Sequence, residues 1–265
     1  GILGRFLEEV GPDTTLLVLS DHGHGMRPVR ILNINEWLRQ EGLLRDRGGA
    51  LRRTRASSLV NWVKRKALGF VVRHNLGNLA LKLIVVFPWV RRWYSASGSI
   101  DWERTAAYLP DLSGMKAYAY GGIRVREEGL GGRDHDRVCE QIIEGLSRLE
   151  DPETGERVAR WVCRREELYE GEHLSQYPDV VFYLRDEYGA GGNIHVPLFD
   201  RALTHSIVPG SHRAHTATFL MHNSKIPKAR DQMDVMDVAP TVLDILGIQH
   251  EGVYDGRSLF SPEVS

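Results

Sequence analysis

The run Thr14-Thr15-Leu16-Leu17-Val18-Leu19-Ser20 leads without a break into Asp21-His22-Gly23-His24-Gly25. A short apolar run ended by glycines predicts a buried strand that stops where a carboxylate and an imidazole stand side by side. In an open α/β sheet the loops at the carboxyl ends of the strands form the ligand crevice. Asp beside His offers one hard oxygen and one borderline nitrogen, a pair suited to zinc or a similar divalent ion. The flanking glycines let the backbone turn sharply and approach a ligand. The plainer reading is a polar turn after a strand, with His24 solvated. These five residues do not separate the two.

The rest of the chain sets that strand among helices and further strands. Ile2, Leu3, Phe6, Leu7 and Val10 recur at helical spacing, and Gly11-Pro12 stops the helix before the strand over 14–20. Leu32 to Leu38 predicts a short amphipathic helix ending near Gly42, with Asn33 or Asn35 as its cap. Short strands are predicted over 117–120 and 122–125, and a helix over 136–149. A tight turn follows at 151–155, then strands over 158–162, 179–184 and 218–221. A helix over 237–246 closes on Gly247. The alternation predicts an α/β fold with a mixed, mainly parallel sheet flanked by helices. Residues 1–44 and 101–265 form its core, and 45–100 an inserted basic helical segment.

That segment is set apart by charge. The net charge of the 265 residues is only -1, yet twelve Lys or Arg and a single acid, Asp46, lie between Arg45 and Arg92. Trp62, Phe70, Phe87, Trp89 and Trp93 are interleaved with them. Cationic amphipathic helices of this kind suit a membrane surface or an anionic substrate, and a peripheral membrane contact is expected through 45–94. A cap with a solvated basic face is the plainer alternative. No run reaches the ~20 apolar residues of a spanning helix. Cys139 and Cys163 have neither metal-ligand spacing nor a disulfide framework, so reduced, packed thiols and a cytoplasmic setting are expected. Gly1 is not a natural start. The chain is expected to begin inside a longer reading frame, so a missing signal peptide says little.

A second constellation lies far downstream, at Gly210-Ser211-His212-Arg213-Ala214-His215 before the strand over 218–221. His212 follows a flexible Gly-Ser turn, and Arg213 can hold an anionic oxygen bidentately. His195, His205, His215 and His222 read as satisfied surface histidines. No Gly-x-Ser-x-Gly elbow follows a strand, which argues against a serine hydrolase. No nucleic-acid-binding module is recognisable in the basic stretch.

Taken in order, Ser20-Asp21-His22-Gly23, Gly210-Ser211-His212-Arg213 and Asp237-Val238-Ala239-Pro240-Thr241 through Gly247 resemble the alkaline phosphatase superfamily. The closer resemblance is to the type I phosphodiesterase/nucleotide pyrophosphatase branch often labelled predicted phosphohydrolase or phosphomutase. It is carried by Asp101 to Tyr108, Asp151-Pro152-Glu153-Thr154-Gly155, Arg165 to Tyr169, Tyr177 to Val181 and Asp255-Gly256-Arg257-Ser258-Leu259. It covers nearly the whole chain except 45–94.

The resemblance implies an alkaline phosphatase-like fold and a hydrolase with two divalent ions, commonly zinc, ~4 Å apart. Asp21 and His22 match the pair that holds one ion, and His212 a ligand of the other. His24 and Arg213 are candidates for binding the substrate phosphate. The substrate class is a phosphate ester, small-molecule or lipid-like. A metal-bound Thr or Ser nucleophile and an Asp-x-x-x-His pair precede the first strand in that family, and neither pattern stands before Thr14. No catalytic nucleophile is therefore assigned in this chain. It reads as a carboxyl-terminal portion that binds metal weakly and is inactive by itself. Two alternatives remain: phosphomutase or sulfatase-type chemistry on the same scaffold, and a non-catalytic metal-binding or interaction module.

Overall fold

The computed structural model describes residues 1–11, 13–47, 66, 70, 73–74, 100–110, 118–202, 210–213, 217–222, 230, 232–249 and 254–261. The chain divides into two compact units, a smaller one of residues 1–25 with 212–265 and a larger one of residues 26–211. Most of the basic stretch at 45–94 lies outside the described residues.

In the smaller unit, α1 (Ile2–Glu9) leads to β1 (Leu16–Leu19), which pairs antiparallel with β11 (Phe219–His222). The predicted burial of this strand is corrected here. Leu16 and Leu17 are half-buried, while Val18 and Leu19 are exposed. Among the described residues β1 has a single partner strand. Helix α1 buries none of its residues, and Ile2 is 79% exposed.

The predicted closing helix is α4 (Val238–Ile245), and Gly247 beyond it adopts a φ of 66°, as expected of a helix-ending glycine. A buried polar pin holds its start. Asp237 accepts the Arg257 amide at 2.6 Å, the Asp234 amide at 3.0 Å and the Arg230 guanidinium at 3.1 Å. Thr241 donates to the Asp237 carbonyl and accepts the Leu259 amide. Burial pushes the Asp237 carboxyl up, but these donors outweigh it and hold the group below its usual range. Gly256 lies so close to the Met236 backbone that a side chain there would displace the tail.

The larger unit holds the apolar core. Its four-stranded sheet runs β4 (Ala107–Tyr108), β5 (Tyr120–Val125), β7 (Val180–Leu184), β6 (Ala159–Arg164), antiparallel throughout. Val180, Phe182 and Leu184 alternate onto the inner face of β7. Against that sheet α3 (His135–Arg148) buries Val138, Cys139, Ile142 and Leu146, one stripe of a 3.6-residue period. Asp134 caps α3 by accepting the Arg137 amide at 3.0 Å. A second sheet places β3 (Arg30–Asn33) between β8 (Tyr188–Gly191), which is parallel, and β9 (Phe199–Arg201), which is antiparallel. Of these ladders and the β1–β11 pair, only β3 with β8 is parallel, so the mainly parallel sheet expected from the alternation is not what these strands form.

Asn33 stands at the start of α2 (Ile34–Gln40), yet neither it nor Asn35 caps the helix. Both are buried, and carbonyls of neighbouring segments claim them. Asn33 donates to Pro197, while Asn35 clips Leu109 to Gly192 by donating to both carbonyls and accepting the Leu109 amide at 2.7 Å. The predicted turn at 151–155 is built on Asp151, which accepts the Glu153 amide at 2.8 Å and the Tyr188 hydroxyl at 2.6 Å and pairs with Arg30. Here too the donors overcome burial and hold the carboxyl below its usual range. At the base of the basic segment, Asp46 and Ile100 form an antiparallel bridge, and the Asp101 amide donates to the Arg45 carbonyl at 2.8 Å.

Candidate metal centre

β1 ends at Leu19, and Asp21 and His22 form a bend before β2 (Gly23–Met26). β2 pairs with β10 (Gly210–Arg213), the strand that carries His212. The ring of His212 stacks on that of His22, with centroids 4.0 Å apart and planes 24° from parallel. Asp21 Oδ1 lies 3.6 Å from His22 Nε2. Asp21, His22 and His212 are thus brought together within the smaller unit.

His22 Nδ1 is 2.8 Å from the Gly23 carbonyl oxygen. A carbonyl only accepts, so Nδ1 is the donor and Nε2 is the ring nitrogen that faces Asp21. Metal-binding histidines are commonly held this way, the second ring nitrogen donating to a carbonyl. Two ligands of one tetrahedral ion, each bonded at about 2.1 Å, stand roughly 3.4 Å apart. The Asp21–His22 spacing fits a shared cation. Near-parallel stacked rings are poorly arranged to converge on one ion. Among the described residues no group of three or more His, Cys, Asp or Glu is arranged to hold one ion.

His24 is exposed on β2 between two glycines. Arg213 ends β10, and its side chain lies outside the described part of the structure.

The other histidines fall elsewhere. His195, expected on the surface, is largely buried, with Nε2 3.0 Å from Asp46 and its amide donating to Glu36. Its φ of 58° is unusual for a residue other than glycine. His222 is exposed at the end of β11 away from Asp21. His205 and His215 lie outside the described residues. Both cysteines are free. Burial pushes the Cys139 thiol up to about 11, so it is no nucleophile at neutral pH.

The family model described as type I phosphodiesterase / nucleotide pyrophosphatase matches residues 1–215. The chain belongs to that family. No curated protein matches the sequence. Among solved structures, this phosphodiesterase-family chain is similar to phosphonoacetate hydrolase from Sinorhizobium meliloti 1021, solved in complex with phosphonoformate. The two are 12% identical with a TM-score of 0.37, over 83% of this chain. The chain spans 39% of the length of that relative.

The structure separates the sequence motifs into two groups. Asp21, His22 and His212 gather at one place, whereas Asp151, Asp237, Thr241 and Arg257 serve as pins for turns and tail. The pins were not legible as such. The one local signal was Thr241 four residues after Asp237, the spacing at which a hydroxyl reaches back to a helical carbonyl.

Proposed function

We propose that this chain contributes part of the metal centre of a phosphate-ester hydrolase, with Asp21 and His22 on one divalent ion and His212 on a second. The stacking of His212 on His22 at 4.0 Å carries the reading, because it joins the two halves of the motif from distant parts of the sequence. One carboxylate and two imidazoles favour zinc. When bound, the ions supply Lewis-acid stabilisation of charge on phosphoryl oxygens. The chain's own residues hold and orient: Asp21 supplies negative charge, and the Gly23 carbonyl sets which nitrogen of His22 faces outward. His24 and Arg213 orient the substrate phosphate, Arg213 through paired N–H donors.

The Thr or Ser nucleophile and the remaining donors come from residues outside these 265. By itself the chain binds metal weakly and does not turn over substrate. The basic stretch at 45–94, with its twelve cations and one acid between 45 and 92, favours an anionic or lipid-like phosphate ester and contact with a membrane surface. Among the described residues no helix is long and apolar enough to cross a membrane.

Zinc and cobalt titrations of the chain and of Asp21→Ala, His22→Ala and His212→Ala variants test the centre. Each substitution is expected to weaken uptake about tenfold or more. Unchanged uptake in the triple variant overturns the reading. Turnover of a phosphodiester by the isolated chain, at the rate of an intact family enzyme, overturns its inactivity. Reversing the charge of Arg52, Arg53 and Arg55 in an intact enzyme without effect on anionic substrates removes the role of the basic stretch.

A second reading, a non-catalytic binding module, is favoured by the absence of a three-donor group among the described residues. In it Asp21 and His22 form an ion pair without metal, and the titrations show no uptake.

A further inference from the structure

We infer that Ser20 is a positioning residue whose hydroxyl ends β1 and sets the direction in which Asp21 and His22 leave the strand; the inference rests on reading those two as metal ligands. The register that pairs Leu19 with Phe219 makes Ser20 and Thr218 the next opposed residues. A hydrogen-bonded antiparallel pair exchanges two backbone bonds, each amide donating to the other's carbonyl. Ser20 makes its half of the exchange, its amide donating to the Thr218 carbonyl at 2.9 Å. The return bond differs. The Thr218 amide donates to Ser20 Oγ, also at 2.9 Å.

The hydroxyl thus takes the place of a backbone acceptor at the last rung, and the Ser20–Asp21 peptide is released from the pleat. This matters because successive side chains of a strand point to opposite faces. Two adjacent residues kept in the ladder would hold a carboxylate and an imidazole apart. With the strand closed one residue earlier, Asp21 and His22 lie in a bend, and Oδ1 and Nε2 come within 3.6 Å. Serine suits the task, since its short side chain reaches backbone groups and competes with the regular ladder. Alanine there takes the acceptor away from the Thr218 amide, and the turn that brings the next two side chains together loses its anchor.

The test compares Ser20→Ala, Ser20→Thr and Thr218→Ala in the 265-residue chain, with Ser20→Cys as the weak-acceptor variant should the alanine variant fail to fold. Three signals are read: the imidazole proton resonances of His22 and His212, hydrogen exchange at the Thr218 amide, and Co(II) titration. The alanine or cysteine variant is expected to shift both ring resonances, speed Thr218 exchange about tenfold and weaken Co(II) binding about tenfold. Ser20→Thr restores all three, and Thr218→Ala leaves them as in the wild type because only its backbone takes part. Unmoved ring resonances and exchange in Ser20→Ala overturn the inference. So does a folded Ser20→Thr that behaves like Ser20→Ala. If the wild type takes up no Co(II), the metal reading fails by itself, while the resonances and the exchange rates still decide whether Ser20 sets the bend.

Discussion

Phe182 and Phe6 carry the same side chain in opposite circumstances. Phe182, on the inner face of β7 in the larger unit, has none of its surface exposed, whereas Phe6 on α1 of the smaller unit is 58% exposed. The contrast extends to the units themselves. The continuous apolar cluster, from Leu32 to Ile194, lies in the larger unit, while Leu259 and Pro240 are the buried apolar side chains described in the smaller. Order in the smaller unit comes instead from polar pins, the Ser20–Thr218 rung and the Asp237 network. Hydrophobic burial scales with area and is cooperative over a whole core, whereas a pin holds only what it touches. The candidate metal ligands sit in the unit held by pins.

The largest expected effect that sharpens this comparison is at Phe182. Phe182→Ala should destabilise the larger unit by about 4 kcal/mol, measured by denaturant unfolding. Phe6→Ala should change stability by less than about 0.5 kcal/mol. Equal losses at the two positions would break the comparison. Next come the buried carboxylates, one in each unit. Asp151→Asn and Asp237→Asn should each cost about 2 kcal/mol, because each removes the charge on which several buried hydrogen bonds converge. Only the second should loosen the tail at 254–261, which limited proteolysis would report.

Acid gives a smaller, graded effect of the same origin. Both carboxyls are held below their usual range in the folded chain. Their stabilisation is therefore complete above the unfolded-state value of about 4 and is lost as pH falls through the lowered folded value. Melting curves between pH 6 and 2 should show stability falling only towards the acid end, and less steeply in the two Asn variants. The smallest perturbation is none at all. In the unaltered chain, amides of α3 and β7 should exchange about a hundredfold or more slowly than those of α1 and β1. Equal protection would show that α1 and β1 are shielded as well as the core.

Much of this was legible in the sequence because it is local. The period of α3, the glycine after α4 and the Asp151 turn are short-range patterns, and each lies within a residue or two of its predicted place. Sheet direction was not legible. The apolar run at Val180 to Leu184 serves a parallel or an antiparallel ladder equally well, and only its partners decide which. Burial of β1 failed for the same reason, since leucines ask for a covering layer that a sequence pattern cannot supply. At the candidate site, the adjacency of Asp21 and His22 was legible, and the stacking of His212 on His22 was not. The role of the serine before Asp21 depended on one amide from a distant strand, which no spacing within the motif reveals.

The bridge between Asp46 and Ile100 has a consequence for the stretch it encloses. It brings the two ends of that stretch together at one antiparallel rung. The entropic cost of closing such an excursion rises only slowly with its length. A change in the number of residues between Asp46 and Ile100 should therefore cost the larger unit little.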